Sequence, residues 1–349
     1  MGTGNMGKYT IKDIADMAGV SPATVSRVLS DTPGVNPKKR MEIKQLIKDT
    51  GYHPSSVARS LVKGRTNVVG VVVRDLENPY YASMAVGFQK ELAKIGYIPL
   101  VISVEAGEAK GTGRNYLSEI NRLFDFAGLF VSVQTRENIL EESIKECQCP
   151  VVLLNRTFDI MCDQVIQNDY QAGVIAAEYL SGLGHRNIMI LQGLVRESPS
   201  CRFRMEGFQQ TLSVSGIELE AENMIESPLD MNAAYEVSMN RLKNRELPVP
   251  TAAFVSGNSM ALGFLKACGD LGIRVPEEIS VVTIDNPPIM SLPGINLTTI
   301  SVSMDTMVSE AVKVFQDRVE DKNKKHRFVV LRPELIVRGS ACPLSEAGE

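Results

Sequence analysis

The segment Ser21-Pro22-Ala23-Thr24-Val25-Ser26-Arg27 sets one guanidinium and three hydroxyls on a single short helical stretch. Arg reads the paired acceptors of guanine in the major groove, and Ser and Thr hold phosphate oxygens, so the chemistry on offer is nucleic-acid recognition. A second set of polar side chains closes apolar runs. Arg74 and Asp75 follow Val68 to Val73, Ser132 and Gln134 end Leu129 to Val133, Asn155 and Arg156 follow Val151 to Leu154, and Asp285 follows Ile279 to Ile284. Where such runs are parallel strands, these groups lie at the carboxyl ends, which is where open α/β sheets bind small ligands. A carboxylate placed like Asp285 is costly unless it is paired or faces a wet site. Tyr80, Tyr81, Phe158 and Phe254 supply the stacking faces a hydroxylated ligand uses.

Catalysis finds no footing in the chain. The match Gly2-Thr3-Gly4-Asn5-Met6-Gly7 fits GxGxxG but has no strand before it, so no phosphate cradle forms. No Walker motif, GxSxG elbow or HExxH occurs, and His53, His185 and His326 are scattered. None of the 6 cysteines forms a CxxC pair, which excludes a zinc site and a disulfide framework and leaves structural thiols. We therefore expect no enzyme, no metal and no cofactor.

The elements that must position these groups differ sharply along the chain. Through Arg65 there are 11 Lys and Arg against 5 Asp and Glu, leaving 26 of the 37 basic and 36 of the 41 acidic residues for the remainder. A head of net charge +6 on a body of −10 suits a polyanion-binding module joined to one that avoids polyanions. In the head, Ile11, Ile14, Ala15 and Ala18 fall on one helical face, Thr10 is placed to cap that helix with Asp13 three residues on, and Gly19 to end it. Ser21 is placed to cap a second helix that opens on Pro22 and runs to Leu29, with Val25, Val28 and Leu29 inward and Ala23, Thr24, Ser26 and Arg27 outward. Two short helices joined by a Gly-containing turn predict a helix-turn-helix. A third helix is expected from Pro37 to Thr50, closed by Gly51, and a short one after Pro54 that would be marginal alone.

Several stretches of the head resemble the lactose-repressor (LacI/GalR) family of bacterial transcription regulators: Thr10-Ile11-Lys12-Asp13-Ile14-Ala15, Ala18-Gly19-Val20-Ser21, Thr24-Val25-Ser26-Arg27-Val28-Leu29, Gly51-Tyr52 with Pro54, and Ala58-Arg59-Ser60-Leu61. The resemblance implies that Pro22, Ala23 and Arg27 read bases and that Thr24, Ser26 and the helix ends, with Thr10 and Ser21, hold phosphates. It also implies a hinge helix over Ala58 to Lys63, including Arg59, that pairs with its dimer mate in the minor groove with Leu61 as an apolar wedge. Pro22 and Ala23 lack hydrogen-bonding side chains, so direct reading rests mainly on Arg27 and on apolar contact with thymine methyls.

From Thr66 onward, apolar runs alternate with helical patterns, which predicts parallel sheets covered on both faces. So much chain exceeds one core, and two sheets are expected. The resemblance extends through Arg204-Met205-Glu206-Gly207-Phe208, Met260-Ala261-Leu262-Gly263 and Ile279-Ser280-Val281-Val282 ending in Asp285. It implies a body like a periplasmic sugar-binding protein, two doubly wound lobes around a ligand cleft, and adds Arg204 and Asn258 to that cleft. Asn258-Ser259 stands where the family usually shows Asn-Asp, and with no tryptophan in the chain any stacking wall is Tyr or Phe. The expected organisation is a disordered extension over 1–8, the DNA-binding domain over 9–54, the hinge over 55–65, the α/β body over 66–340 and a tail over 341–349. Lobe 1 takes about 66–164 plus 299–325, and lobe 2 takes 165–298 plus 326–340.

The expected function is a cytoplasmic, effector-responsive regulator, a repressor of carbohydrate-metabolism genes that binds pseudo-palindromic double-stranded operator DNA as a homodimer. A sugar, sugar phosphate or similar molecule is the expected effector, and no membrane partner is expected. A small-molecule-binding protein without DNA and a purine-type corepressor-dependent regulator remain as alternatives. The first lacks a use for the basic head.

Overall fold

The computed structural model describes residues 9–29, 31–52, 66–104, 116–133, 137–155, 160–196, 198–244 and 246–344. The chain divides into two compact units, Met1–Thr66 and Asn67–Glu349.

The first unit holds α1 (Ile11–Ala18), α2 (Pro22–Leu29) and α3 (Pro37–Thr50). Thr10 Oγ1 accepts the Asp13 amide while Asp13 Oδ2 accepts the Thr10 amide at 2.7 Å, and Gly19 ends α1 at φ 60°. This reciprocal cap satisfies two orphan donors of a helix too short to stand alone. Its stability comes from packing: Ile14, Ala15, Ala18, Val25, Val28, Ile43 and Tyr52 close one small core. Of the apolar residues of α3, Met41 stands out at 70% exposed rather than joining that core. Arg40 and Lys44 both reach Asp31 Oδ1 at 3.0 Å and tie the loop after α2 to α3.

The second unit contains two six-stranded sheets. The first is built from β1 (Val68–Val73), β2 (Ile98–Ser103), β3 (Gly128–Ser132), β4 (Val151–Leu154), β5 (Asp163–Gln167) and β11 (Phe328–Leu331), in the order β2-β1-β3-β4-β5-β11 and all parallel. The second holds β6 (Ile188–Gly193), β7 (Met224–Ser227), β8 (Ala252–Val255), β9 (Ser280–Ile284), β10 (Thr298–Ser301) and β12 (Glu334–Ile336), in the order β7-β6-β8-β9-β10-β12, with only β12 antiparallel. The first sheet is covered by α4 (Pro79–Lys94) and α11 (Met304–Glu320) on one face and by α5 (Tyr116–Leu123) and α6 (Glu137–Glu146) on the other. In the second lobe, α7 (Asp169–Gly182) and α8 (Pro199–Val214) cover one face, and α9 (Met231–Lys243) and α10 (Asn258–Leu271) the other. Fully buried Val, Ile and Phe on both faces of the central strands are what two-sided coverage requires.

The chain crosses between lobes after β5, after β10 and after β11. The crossings are bonded together, with the Val302 amide donating to Gln167 Oε1 at 3.3 Å and the Asn168 amide to the Leu331 carbonyl at 2.8 Å. The lobe boundaries expected from sequence need correction here. Strand β10, over 298–301, lies in the second sheet, so the return to lobe 1 begins at Val302, not 299. Strand β11, over 328–331, belongs to the first sheet, and so does all of β5 through Gln167. The reason is pairing: β11 lines up beside β5 in parallel, Phe328 against Gln164 through Leu331 against Gln167, while the antiparallel turn of β12 back onto β10 carries the chain into lobe 2.

Candidate functional site: a recognition helix and an interlobe cleft

On the first unit, α2 presents Pro22, Ala23 and Arg27 to solvent, with Thr24 and Ser26 half-buried and Val25 and Val28 buried beneath. Ser21 caps the helix: its Oγ accepts the Thr24 amide at 3.3 Å and lies 3.0 Å from Thr24 Oγ1. Helix α2 thus offers its N-terminal turn and its one cation, Arg27, outward, the side a recognition helix turns toward DNA. Thr10 is engaged by Asp13 in the cap of α1, leaving that helix end exposed. Ala58, Arg59 and Leu61 lie outside the described residues, as do Gln134, Arg156 and Phe158.

On the second unit, both strand orders reverse between the first and third strands, and polar side chains gather in the crevice at those carboxyl ends. A cavity of about 110 Å3 is lined by Asp75, Tyr80, Tyr81, Ser132 and Asn155 from the first lobe and by Arg204, Asn258 and Asp285 from the second. At roughly 10–15 Å3 per water, that space holds a small polar molecule. Every described candidate from the sequence therefore converges on one cleft, except Phe254, whose ring is fully buried against Phe208 with centroids 5.0 Å apart. Sequence reasoning missed Gln167, Asp169, Ser198, Ser200 and Ser256, which also line the cavity.

Local backbone aims two of these groups. Asn155 and Asp285 adopt φ of 56° and 68°, immediately after β4 and β9. Asn and Asp tolerate this left-handed region better than other residues, and its use at a strand end turns the side chain into the crevice. Asn155 Nδ2 donates to the Tyr80 hydroxyl, while its carbonyl accepts Ser200 Oγ across the cleft at 3.2 Å. Tyr80 meets Tyr81 edge-on at 5.4 Å, forming an aromatic wall. Arg204 donates Nε to Asp169 Oδ1 at 2.7 Å and Nη1 to the Ser256 carbonyl at 3.2 Å, and Asn258 Nδ2 donates to Asp285 Oδ2 at 3.2 Å.

The enclosure shows in the titration of these groups. Burial pushes the Asp285 carboxyl up, against the opposing pull of Arg204 and the Asn258 amide. Burial, and then the charge of Asp285, hold the Tyr80 phenol well above its ordinary value. For Arg204, burial works against the charge, but the charge and hydrogen bond of Asp169, with Cys201 and Asp285, together outweigh it and the guanidinium is held more firmly protonated than usual.

Comparison with known proteins decides the family. The model of the lacI family of bacterial regulatory proteins matches residues 10–55, and that of a periplasmic binding protein-like domain matches 177–341. The HTH-type transcriptional repressor PurR of Histophilus somni (strain 129Pt) is 30% identical over 332 residues, covering 95% of this chain and 98% of that protein. The chain belongs to the lacI family of bacterial regulatory proteins. Among solved structures, the lac repressor dimer bound to operator and the anti-inducer ONPF matches with a TM-score of 0.84 at 24% identity, over 96% of this chain and 100% of that one. A complex of the transcriptional regulator CelR with cellobiose matches with a TM-score of 0.68 at 25% identity, over 96% and 100%. This lacI-family chain therefore carries a DNA-binding head and an effector-binding body, and it is a regulator, not an enzyme. No helix among the described residues is long and apolar enough to cross a membrane.

Proposed function

We propose that this protein is a cytoplasmic homodimeric repressor that reads a pseudo-palindromic operator with α2 and changes its grip when a small molecule occupies the interlobe cleft. The observation that carries this reading is one chain holding both an exposed, cationic recognition face and a buried polar cleft at two topological switch points. Arg27 reads base edges and Thr24, Ser26 and the helix ends hold phosphates. Asp75, Tyr80, Tyr81, Ser132, Asn155, Arg204, Asn258 and Asp285 hold the effector. Two-fold symmetry sets half-sites about 10 base pairs apart. Among the described residues β2 and β7 are outer strands with one unpaired edge each, and Ile98 and Met224 stand exposed at their starts, which supports association with a second copy.

Effector binding changes the angle between the lobes and so the separation of the two heads. The Ser200–Asn155 bond across the cleft is one of the contacts such a change makes or breaks. A carbohydrate effector is supported by the hydroxyl-rich cleft and by the CelR neighbour, which holds cellobiose. The test is fluorescence anisotropy of the full chain on its own upstream promoter DNA, repeated with each hit from a thermal-shift screen of sugars, sugar phosphates and nucleobases. Operator binding that responds to a hit is expected; a chain that ignores this DNA at moderate salt with every hit is no repressor of it.

A further inference from the structure

Three charged side chains meet deep in the cleft, and their sum determines what can enter. Arg204, the cation a ligand would be expected to use, already has its charge balanced: its Nε lies 2.7 Å from Asp169 Oδ1, and the two side chains are only 13% and 10% exposed. Asp169 is held in turn by Gln167 Nε2 at 3.2 Å and sits in the first turn of α7, where a helix N-terminus favours a carboxylate. The second carboxylate, Asp285, accepts from the Asn258 amide and has no ion-pair partner within 4.0 Å among the described residues. Arg74 and Asp75, adjacent and partly exposed on the first-lobe wall, add no net charge. Among the described residues, the lining therefore carries one net negative charge. Beside it, the fully buried Ser256 Oγ has no hydrogen-bond partner among the described residues, and a neutral donor or acceptor on a ligand can satisfy it.

We infer that the effector is an uncharged, hydroxyl-bearing molecule and that Asp169 sets this class, by holding Arg204 in an ion pair instead of leaving it to an anion. This rests on the cleft being the effector site. A phosphate or carboxylate entering here must either displace Asp169 from Arg204, stranding a buried charge, or share with Asp169 and Asp285 a guanidinium whose charge is already balanced. A neutral hydroxyl does neither: it donates to Asp285 and leaves the Arg204–Asp169 pair intact. Asp169 is thus a specificity residue that acts through Arg204.

The experiment uses the full chain, titrated by calorimetry and thermal shift with inorganic phosphate, glucose 6-phosphate and glucose at matched ionic strength. The variants are Asp169→Asn, Arg204→Gln and the double variant. Phosphate and glucose 6-phosphate are expected to leave the unmodified chain no more stable than chloride does. Asp169→Asn, nearly isosteric, is expected to bind phosphate at least about tenfold more tightly, and the double variant to lose that gain. Saturable phosphate binding by the unmodified chain that Arg204→Gln removes overturns the inference, as does a cooperatively folded Asp169→Asn with no gain. Should Asp169→Asn fail to fold, the unmodified chain and Arg204→Gln still decide it by the first of these outcomes. Failure of the cleft reading looks different: a probe whose binding survives both Arg204→Gln and Asp285→Asn sits elsewhere, and the inference falls with the site.

Discussion

In the proposed reading, direct base recognition rests on Arg27, because its neighbours at the exposed tip of α2, Pro22 and Ala23, have no polar side-chain atoms to offer a base edge. Replacing Arg27 by Ala is expected to lower operator affinity by about 1–3 kcal/mol and to relax preference at one base pair per half-site. Binding-site selection on the variant checks both, and an unchanged profile removes Arg27 from the reading set. In the cleft, Asp285→Asn removes the buried carboxylate while keeping its shape, so the effector is expected to lose its influence on operator affinity; anisotropy titrations with and without the best thermal-shift hit measure this. The strand-end rule made these residues legible, since Asn155 and Asp285 directly follow apolar runs. It could not find Asp169, which lies beyond polar Gln167 and the helix cap Asn168 and not directly after an apolar run. Ser256 does directly follow the apolar run 252–255 and was within the rule's reach, but a small serine gives no sign of the unsatisfied oxygen that marks it once its surroundings are placed. Phe254 misled for a related reason. In a strand buried on both faces, alternation does not say which side chain faces ligand and which faces core.

At the scale of elements, the cleft depends on how closely α7 and α8 approach. A Cβ on Gly207 would lie 2.1 Å from the Tyr170 carbonyl oxygen, and one on Gly173 would lie 2.0 Å from the Arg204 carbonyl oxygen. The backbones are in contact, which is how Asp169 on one helix reaches Arg204 on the other. Gly207→Ala must drive the helices apart, at a cost of about 1–3 kcal/mol as for other overpacked sites. A lowered melting temperature together with a weakened effector response is the expected result, and a variant that melts normally contradicts the close packing. The closing segment of the chain is pinned by His185, whose ring nitrogens lie 3.1 Å from Thr251 Oγ1 and 3.1 Å from the Cys342 carbonyl. Burial lowers its pKa below the ordinary histidine value, so the folded state favours the neutral ring. The unfolded chain then binds more protons below about pH 6.5, and stability is full above that point and drains as pH falls. Melting curves from pH 7.5 to 5.5 are expected to steepen this loss in the native chain relative to His185→Gln; parallel curves would assign the loss to other groups. The central strands and long helices were readable because buried Val and Ile runs leave one interpretation. Strands β7, β10, β11 and β12 were not: β10 is a buried but mostly polar Thr-Thr-Ile-Ser, and β7, β11 and β12 are short, partly exposed edges whose pairing is set by the rest of the fold.

For the whole molecule, the decisive question is how a sensing body of net charge −10 governs a head of net charge +6. The head closes its own small core, so ligand chemistry in the body need not unfold it. In the proposed dimer, what remains for the body to control is the separation of two heads, and the resemblance assigns that coupling to residues 58–63 with Leu61 as the wedge. The electrostatic part of binding, carried by Lys and Arg on phosphates, depends on salt and not on sequence. The wedge contributes only where a central base step can be unstacked and the duplex bent. Leu61→Ser is therefore expected to weaken operator binding while leaving non-specific binding, its salt slope and thermal-shift responses to small molecules in place. Operator bending, measured by fluorescence transfer between labelled duplex ends, is expected to fall with it. A variant that bends operator as fully as the native chain would remove Leu61 from the coupling and leave the spacing of the two recognition helices as the sole quantity the cleft can control.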